Sequence, residues 1–235
     1  MKIISPCFTH NRAFANPLID SLKKYSPEYA DNLILYTDGS VNTDFYHTKM
    51  FHACETLKKI NDEIVILVDA FDVLVNKPLS DVEEEFKSHN CKLLISAEAN
   101  CFPFKQYESF LASKSNTRLK FPCAGCWIGY REYMIELFES PLSVQNHMNW
   151  RRYTDQGFME TIYYNSFSDP YFSVKIDTDA KIFINTFLLE PEIDFSINPT
   201  TKQLTYKETN NIPYFIHFNG DGKAHMPLFN VKYCA

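Results

Sequence analysis

Apolar positions along this chain switch between the period of a strand and the period of a helix in regular alternation. KIISPCF (2–8) reads as an opening strand, and AFANPLIDSLKKY as a helix with Phe14, Leu18 and Leu22 at i, i+4 and i+8. NLILYTDGS predicts a second strand that ends in turn residues. HTKMFHACETLKKI predicts a helix with Met50, Cys54, Leu57 and Ile60 on one stripe. IVILV (64–68) is unbroken, as expected of a strand covered on both faces. Ser80 and Glu83 in SDVE have the spacing of a capping box for the helix DVEEEFKSH, and KLLISAE predicts another buried strand. This β-α-β-α-β-α-β order predicts an α/β sandwich on a mostly parallel sheet. The second half is less regular. GCWIGY reads as a strand, EYMIELFES and DQGFMETIYYN as helices, and KIDTDAKIFINT and PYFIHFNG as short strands. No repeat, low-complexity tract or linker breaks the pattern, so one domain over 1–235 is the simplest organisation.

Composition changes that picture only a little. A net charge of −6 gives no basic footprint, which argues against nucleic acid as a partner. Aromatic residues make up 15% of the chain, compatible with a ring-lined cleft or with an aromatic core. Only six glycines occur, so each one inside a motif is informative. MKIISPCFTHNR lacks the apolar core of a signal peptide, and the longest aliphatic run is Ile64–Val68. The expectation is therefore no membrane span and a cytoplasmic location. Seven scattered cysteines fit reduced thiols.

The stretch IVILVDAFDVLV (64–75) carries two aspartates, Asp69 and Asp72, among ten apolar residues. Buried carboxylates are costly unless partnered. In an extended strand the two would lie about 10 Å apart on opposite faces. If the strand ends at Asp69 and the chain turns at Ala70-Phe71, both face one point beyond its carboxyl end, where open α/β sheets bind ligands. Hard oxygen donors there suit Mg²⁺ or Mn²⁺. The other reading has Asp72 capping a turn and Asp69 paired with a lysine or arginine. HFNGDGK (217–223) adds an H-x-x-G-x-x-K pattern after an apolar strand. His217 can complete a metal site as a neutral imidazole, Gly220 and Gly222 permit close backbone approach, and Lys223 supplies a cation for a phosphate. Alone the segment fits an ordinary turn. Together with the acidic pair it has the parts of a diphosphate clamp.

The ordered set VDAFDV, LLISAEANCFPF, FPCAGCWIGY, YTDQGF and IHFNGDGK resembles the glycosyltransferase domain of the collagen-modifying family, which comprises multifunctional lysyl hydroxylases and procollagen sugar transferases. The likeness covers about residues 60–225, and a short stand-alone chain is similar to the giant-virus, mimivirus-type members. It implies a Rossmann-like GT-A fold, a UDP-sugar donor and Mn²⁺, with Asp69, Asp72 and His217 as metal ligands. It further implies Phe71 stacked on uracil, Lys49 near the nucleotide and Lys223 at the diphosphate. Thr9, Phe102, Gly125 and Gly220 join the donor-binding set, and Glu98, Asp155 and Gln156 line the sugar and acceptor pocket. Asp155 is the expected carboxylate at the reacting carbon. The implied reaction is transfer of glucose from UDP-glucose to galactosyl-hydroxylysine of a collagen-like polypeptide, with retention; galactose transfer to hydroxylysine is the alternative.

Three segments depart from the family pattern. Cys101-Phe102-Pro103 replaces Cys-Trp-Pro, Cys123-Ala124-Gly125-Cys126 replaces Asn-Ser-Gly-Gly, and RRYT replaces an acidic run, which leaves the identity of the sugar open. Cys123 and Cys126 have no second C-x-x-C to complete a zinc site, so buried thiols are expected. Trp127 reads as core. Two rival functions remain: a metal-dependent phosphohydrolase, which leaves HFNGDGK and SAE unexplained, and a non-catalytic sugar- or collagen-binding relic of the fold.

Overall fold

The main sheet is built from β1 (Lys2–Pro6), β2 (Leu33–Tyr36), β3 (Ile64–Val68), β5 (Leu93–Glu98), β6 (Phe121–Tyr130) and β7 (Val174–Asp177). Its strand order is β2-β1-β3-β6-β5-β7. All run parallel except β6, which is antiparallel to both neighbours. A second sheet places β11 (Phe215–His217) between β4 (Val73–Val75) and β8 (Phe183–Asn185), and β9 (Phe195–Ile197) and β10 (Leu204–Tyr206) form a hairpin. The computed structural model describes residues 1–7, 12–36, 45–140 and 154–229. Thr9 and most of RRYT lie outside that range.

The helices cover both faces of the main sheet. The strand IVILV shows why it carries no polar residue. Ile64, Ile66 and Val68 pack into a cluster with Leu18 and Leu22 of α1 (Asn16–Tyr25). Val65 and Leu67 pack into the opposite cluster, with Cys54 and Leu57 of α2 (Phe45–Leu57). Alternation by two thus feeds two cores, and all five residues are buried. The second cluster also receives α5 (Arg131–Glu139) through Leu137 and Phe138, and α6 (Asp155–Asn165) through Phe158 and Ile162. Trp127 is a core residue with no exposure, set edge-on to Phe138.

The capping box expected at Ser80 and Glu83 does not form. Helix α3 (Val82–Ser88) starts after Asp81, which makes no side-chain capping bond. The Val82 N–H instead donates to the Leu79 carbonyl, and Glu83 faces the amino terminus at 3.7 Å. The six described cysteines are buried thiols outside any disulfide. Among the described residues no helix is long and apolar enough to cross a membrane.

Candidate active site

Strand β3 ends at Val68, and the chain bends through residues 70–72 before β4 starts at Val73. That bend breaks the strand alternation that would have separated the two aspartates. The third acid–base group arrives by strand pairing. His217 ends β11 opposite Val73 of β4, and the Phe218 N–H donates to the Asp72 carbonyl at 2.8 Å. The result is a cluster in which ligand atoms of Asp69, Asp72 and His217 all lie within 4.8 Å of one another. Nε2 of His217 stands 3.7 Å from Asp69 Oδ2 and 3.5 Å from Asp72 Oδ1.

The imidazole is oriented by a residue the sequence did not flag. Asn185, at the end of β8 and paired with His217, donates from Nδ2 to the Ala97 carbonyl at 2.7 Å. Its Oδ1 therefore faces His217 Nδ1, 2.6 Å away, and can only accept. The ring proton is fixed on Nδ1, which leaves the Nε2 lone pair toward the two carboxylates. Gly125 makes room for the ring: a Cβ there would come within 2.0 Å of His217 Cε1.

Asp69 and Asp72 are shifted in opposite directions. Burial raises the Asp69 carboxyl, against the pull of Lys49 and His217. Burial also works on Asp72, but His217 and Lys223 outweigh it and bring the group down to about 2. The Lys223 ammonium is 3.0 Å from Asp72 Oδ2, so the lysine of H-x-x-G-x-x-K faces the same point as the acids. Gly220 has φ of +53°, and a Cβ on Gly222 would meet Thr186 Oγ1 at 2.1 Å. Both glycines are thus required by the loop's own packing against Thr186 and Phe187.

Lys49 lies at the site, directly beside Asp69. It is 2% exposed and lies between two acids, 2.7 Å from Asp69 Oδ1 and 3.0 Å from Asp155 Oδ2, and it also donates to the Ala124 carbonyl at 3.1 Å. Burial alone would lower its pKa, but Asp69 and Asp155 hold it well above the ordinary lysine value. Both readings of Asp69 therefore apply at once: it pairs with a lysine, and it converges with Asp72.

The segment Cys123-Ala124-Gly125-Cys126 acts through its backbone. Ile95 pairs with Trp127 but Ser96 with Cys123, so three residues bulge from β6 beside the site. The bulged Gly125 carbonyl accepts the Asp69 N–H at 2.8 Å, and the Ala124 N–H donates to Gln156 Oε1 at 2.7 Å. Gln156 also donates to the Pro122 carbonyl, to the Phe102 carbonyl at 3.2 Å and to Glu98 Oε1 at 3.3 Å. It braces the start of α6 against β6. There Thr154 caps the helix, and Asp155 Oδ1 accepts the Gln156 N–H at 2.8 Å. Glu160 of the same helix holds the 101–104 loop by accepting from Cys101 Sγ and the Phe104 N–H. Cys123 Sγ lies 3.8 Å from His217 Nδ1.

Glu98 is 5% exposed at the end of β5, and Asn219 donates to its Oε2 at 2.8 Å. Burial, opposed by Asn219 and aided by Glu160, pushes its carboxyl up to about 8. At neutral pH it is a protonated acid and a hydrogen-bond donor. The folded state then binds more protons than the unfolded chain between the ordinary glutamate range and about pH 8. Stability contributed by this group is complete at the acid end of that window and declines as pH rises through it. Glu98→Gln, which mimics the neutral acid, is expected to flatten that part of the profile in thermal melts from pH 5 to 8; an unchanged slope would place the dependence elsewhere.

Two aromatics sit at the rim. Phe71 is partly buried and edge-on to Phe14 with centroids 5.9 Å apart, whereas Phe102 is 52% exposed. Of the missed residues, Asn219 lies within HFNG itself. Asn185 repeats the signal that marked Asp69, a polar residue closing an apolar strand.

This architecture is that of the GT-A glycosyltransferases. It is shared with a glycosyltransferase involved in glycosylation of the major capsid of PBCV-1 (TM-score 0.55, 13% identity, 98% of each chain covered). It is also shared with galactosyltransferase LgtC in complex with donor and acceptor sugar analogues (TM-score 0.56, 13% identity, 94% of this chain and 87% of that one). Within that class the chain belongs to the family described as the PLOD GT domain, which matches residues 46–233. It is similar to the procollagen-lysine,2-oxoglutarate 5-dioxygenase of Drosophila melanogaster, 22% identical over 170 residues and 72% of this chain. The multifunctional procollagen lysine hydroxylase and glycosyltransferase of Caenorhabditis elegans is 25% identical over 180 residues and 73% of this chain. The chain spans 23% of the length of each of these relatives.

Proposed function

We propose that this chain transfers a sugar from a UDP-sugar to collagen-type hydroxylysine with the help of a divalent cation, Mn²⁺ or Mg²⁺. Our specific reading is glucose transfer from UDP-glucose to galactosyl-hydroxylysine, with retention. One observation carries it: the convergence of Asp69, Asp72 and His217 at the carboxyl end of β3, with Lys223 beside them. The donor set suits a hard divalent ion. Two carboxylate oxygens and one imidazole nitrogen are present, and separations of 3.5 and 3.7 Å need little contraction to reach the roughly 3 Å between neighbouring ligands of a six-coordinate ion.

Bound between these three side chains, the cation would offset negative charge accumulating on the departing diphosphate. Lys223, in the segment that follows β11, adds a positive charge on the same side, 3.0 Å from Asp72. Phe71 is the ring available to stack on the base. Glu98, protonated and held by Asn219 and Gln156, offers a hydrogen bond to a sugar hydroxyl. Asp155 has Lys49 on one oxygen and a backbone N–H on the other. That arrangement favours a stationary carboxylate that steadies positive charge at the sugar carbon over one that removes a proton.

The test is UDP release from a panel of UDP-sugars, with a galactosyl-hydroxylysine peptide as acceptor, in Mn²⁺ and in EDTA. Turnover with UDP-glucose that disappears in EDTA is expected; full activity in EDTA, or phosphate release from simple phosphate esters with no UDP released from any UDP-sugar, would overturn the reading. Asn185→Leu removes the group that sets the His217 tautomer. It is expected to weaken Mn²⁺ binding about 10- to 100-fold, measured by metal titration of the purified protein.

A further inference from the structure

The rings around α6 form a continuous path away from the site. Phe104 packs against the start of that helix, where a Cβ on Gly157 would meet its ring at 3.2 Å. From Phe104 the path runs to Tyr107 with centroids 5.6 Å apart, and Tyr107 stacks on Tyr164 at 4.1 Å and 14°. Phe110 of α4 (Glu108–Ala112) meets Tyr164 at 5.2 Å and Phe167 at 5.3 Å. Phe110 and Phe167 are 37% and 42% exposed. Lys114 lies over both, 4.5 and 5.1 Å from their centroids. Phe167 also meets the core residue Tyr163 at 5.1 Å, so the two rings are anchored on the core while presenting about two-fifths of their surface to solvent at the end of the path.

We infer that Phe110, Tyr164 and Phe167 form a docking platform for an extended, proline-rich acceptor strand, reached from the catalytic end along α6. The inference rests on the proposed reading of the site and adds the recognition of the polypeptide. Flat rings with an adjacent cation suit a polyproline-type strand, whose pyrrolidine faces stack on aromatics and whose carbonyls stay open to donors. Continuity with the site fixes the spacing. Asp155 opens α6 and Tyr164 lies near its end, which places the platform roughly 15 Å away at 1.5 Å per residue. A polyproline strand covers that in about five residues at 3.1 Å each. An acceptor shorter than this reaches the chemistry without reaching the rings.

The experiment compares kcat/KM on a single galactosyl-hydroxylysine with that on the same residue inside a Gly-Pro-Pro peptide long enough to span the path. It uses the whole chain, the Phe110→Ser/Phe167→Ser variant and the Phe110→Tyr/Phe167→Tyr variant. The long-to-short preference of the original chain is expected to fall about tenfold in the serine variant and to survive in the tyrosine variant. No preference in the original chain, or an equal preference in the serine variant, would overturn the platform. If neither acceptor is turned over, the proposed function fails but the platform is still decided. Fluorescence polarisation of a labelled Gly-Pro-Pro peptide, against one with alanine in place of proline, then gives the answer. Proline-dependent binding weakened about tenfold in the serine variant supports it; no binding, or binding indifferent to proline or to the variant, rejects it.

Discussion

Asp72→Asn is expected to lower UDP-sugar turnover about a thousandfold while leaving the fold intact, because the asparagine keeps shape and loses the charge. A cation placed against a leaving diphosphate contributes several kcal/mol to the barrier, and each 1.36 kcal/mol is tenfold in rate. Asp72 is the acid whose charge the surroundings hold most firmly, with its carboxyl at about 2. The same fact sets the acid limit of its contribution to stability. The folded value lies below the unfolded one, so the contribution is complete above the ordinary aspartate range and is lost as pH falls toward about 2. The Asp72→Asn variant should lack that acid-limb dependence. UDP release with and without Mn²⁺, together with melts between pH 2 and 5, separates the two effects. Turnover within tenfold of the original chain would mean that Asp72 does not hold the cation in the proposed reaction.

The parts of this fold that follow from short-range pattern were legible, and the parts that depend on distant pairing were not. IVILV and KLLISAE announce buried strands by their apolar runs, and the stripe from Met50 to Leu57 announces a helix by its period. The turn after Asp69 was legible for the same reason, since two acids on a continuing strand would face opposite ways. By contrast, β4 is three residues long and exists because β11 pairs with it. The hairpin of β9 and β10 is equally short, held in part by Asn76, which donates to the Leu204 carbonyl and accepts the Leu204 N–H from 128 positions away. The capping box was a local pattern with no local outcome, because the preceding turn at Leu79 takes the first helical N–H. In the site, the acids Asp69, Asp72, Glu98 and Asp155, with His217 and Lys223, stood out in the sequence by residue type, whereas Glu160, which holds the 101–104 loop, did not. Asn185 was missed too, although it closes an apolar strand as Asp69 follows one, because its role consists of two hydrogen bonds to chain segments far away.

Lys49→Met should destabilise the protein more than any other single change at the site, by about 3–5 kcal/mol, or roughly 10 °C in Tm for a chain of this size. The lysine is almost wholly buried, and its removal leaves Asp155, 6% exposed, and the partly buried Asp69 without their shared cation. Breaking a buried pair from one side costs more than the pair contributes, because the remaining charge cannot return to water. Combining Lys49→Met with Asp155→Asn should therefore recover part of the lost Tm, a coupling that independent sites would not produce. The kinetic consequence separates this bridging role from a nucleotide-binding one. A lysine that only contacts the nucleotide would, when removed, weaken UDP binding and leave both the change in Tm and the double-mutant coupling near zero. A lysine that links Asp69 to Asp155 would, when removed, raise the Mn²⁺ requirement and lower turnover together. Calorimetric UDP affinity, Tm and the Mn²⁺ dependence of UDP release, measured on the two single variants and the double, decide between them. Additive changes in Tm would sink the bridge.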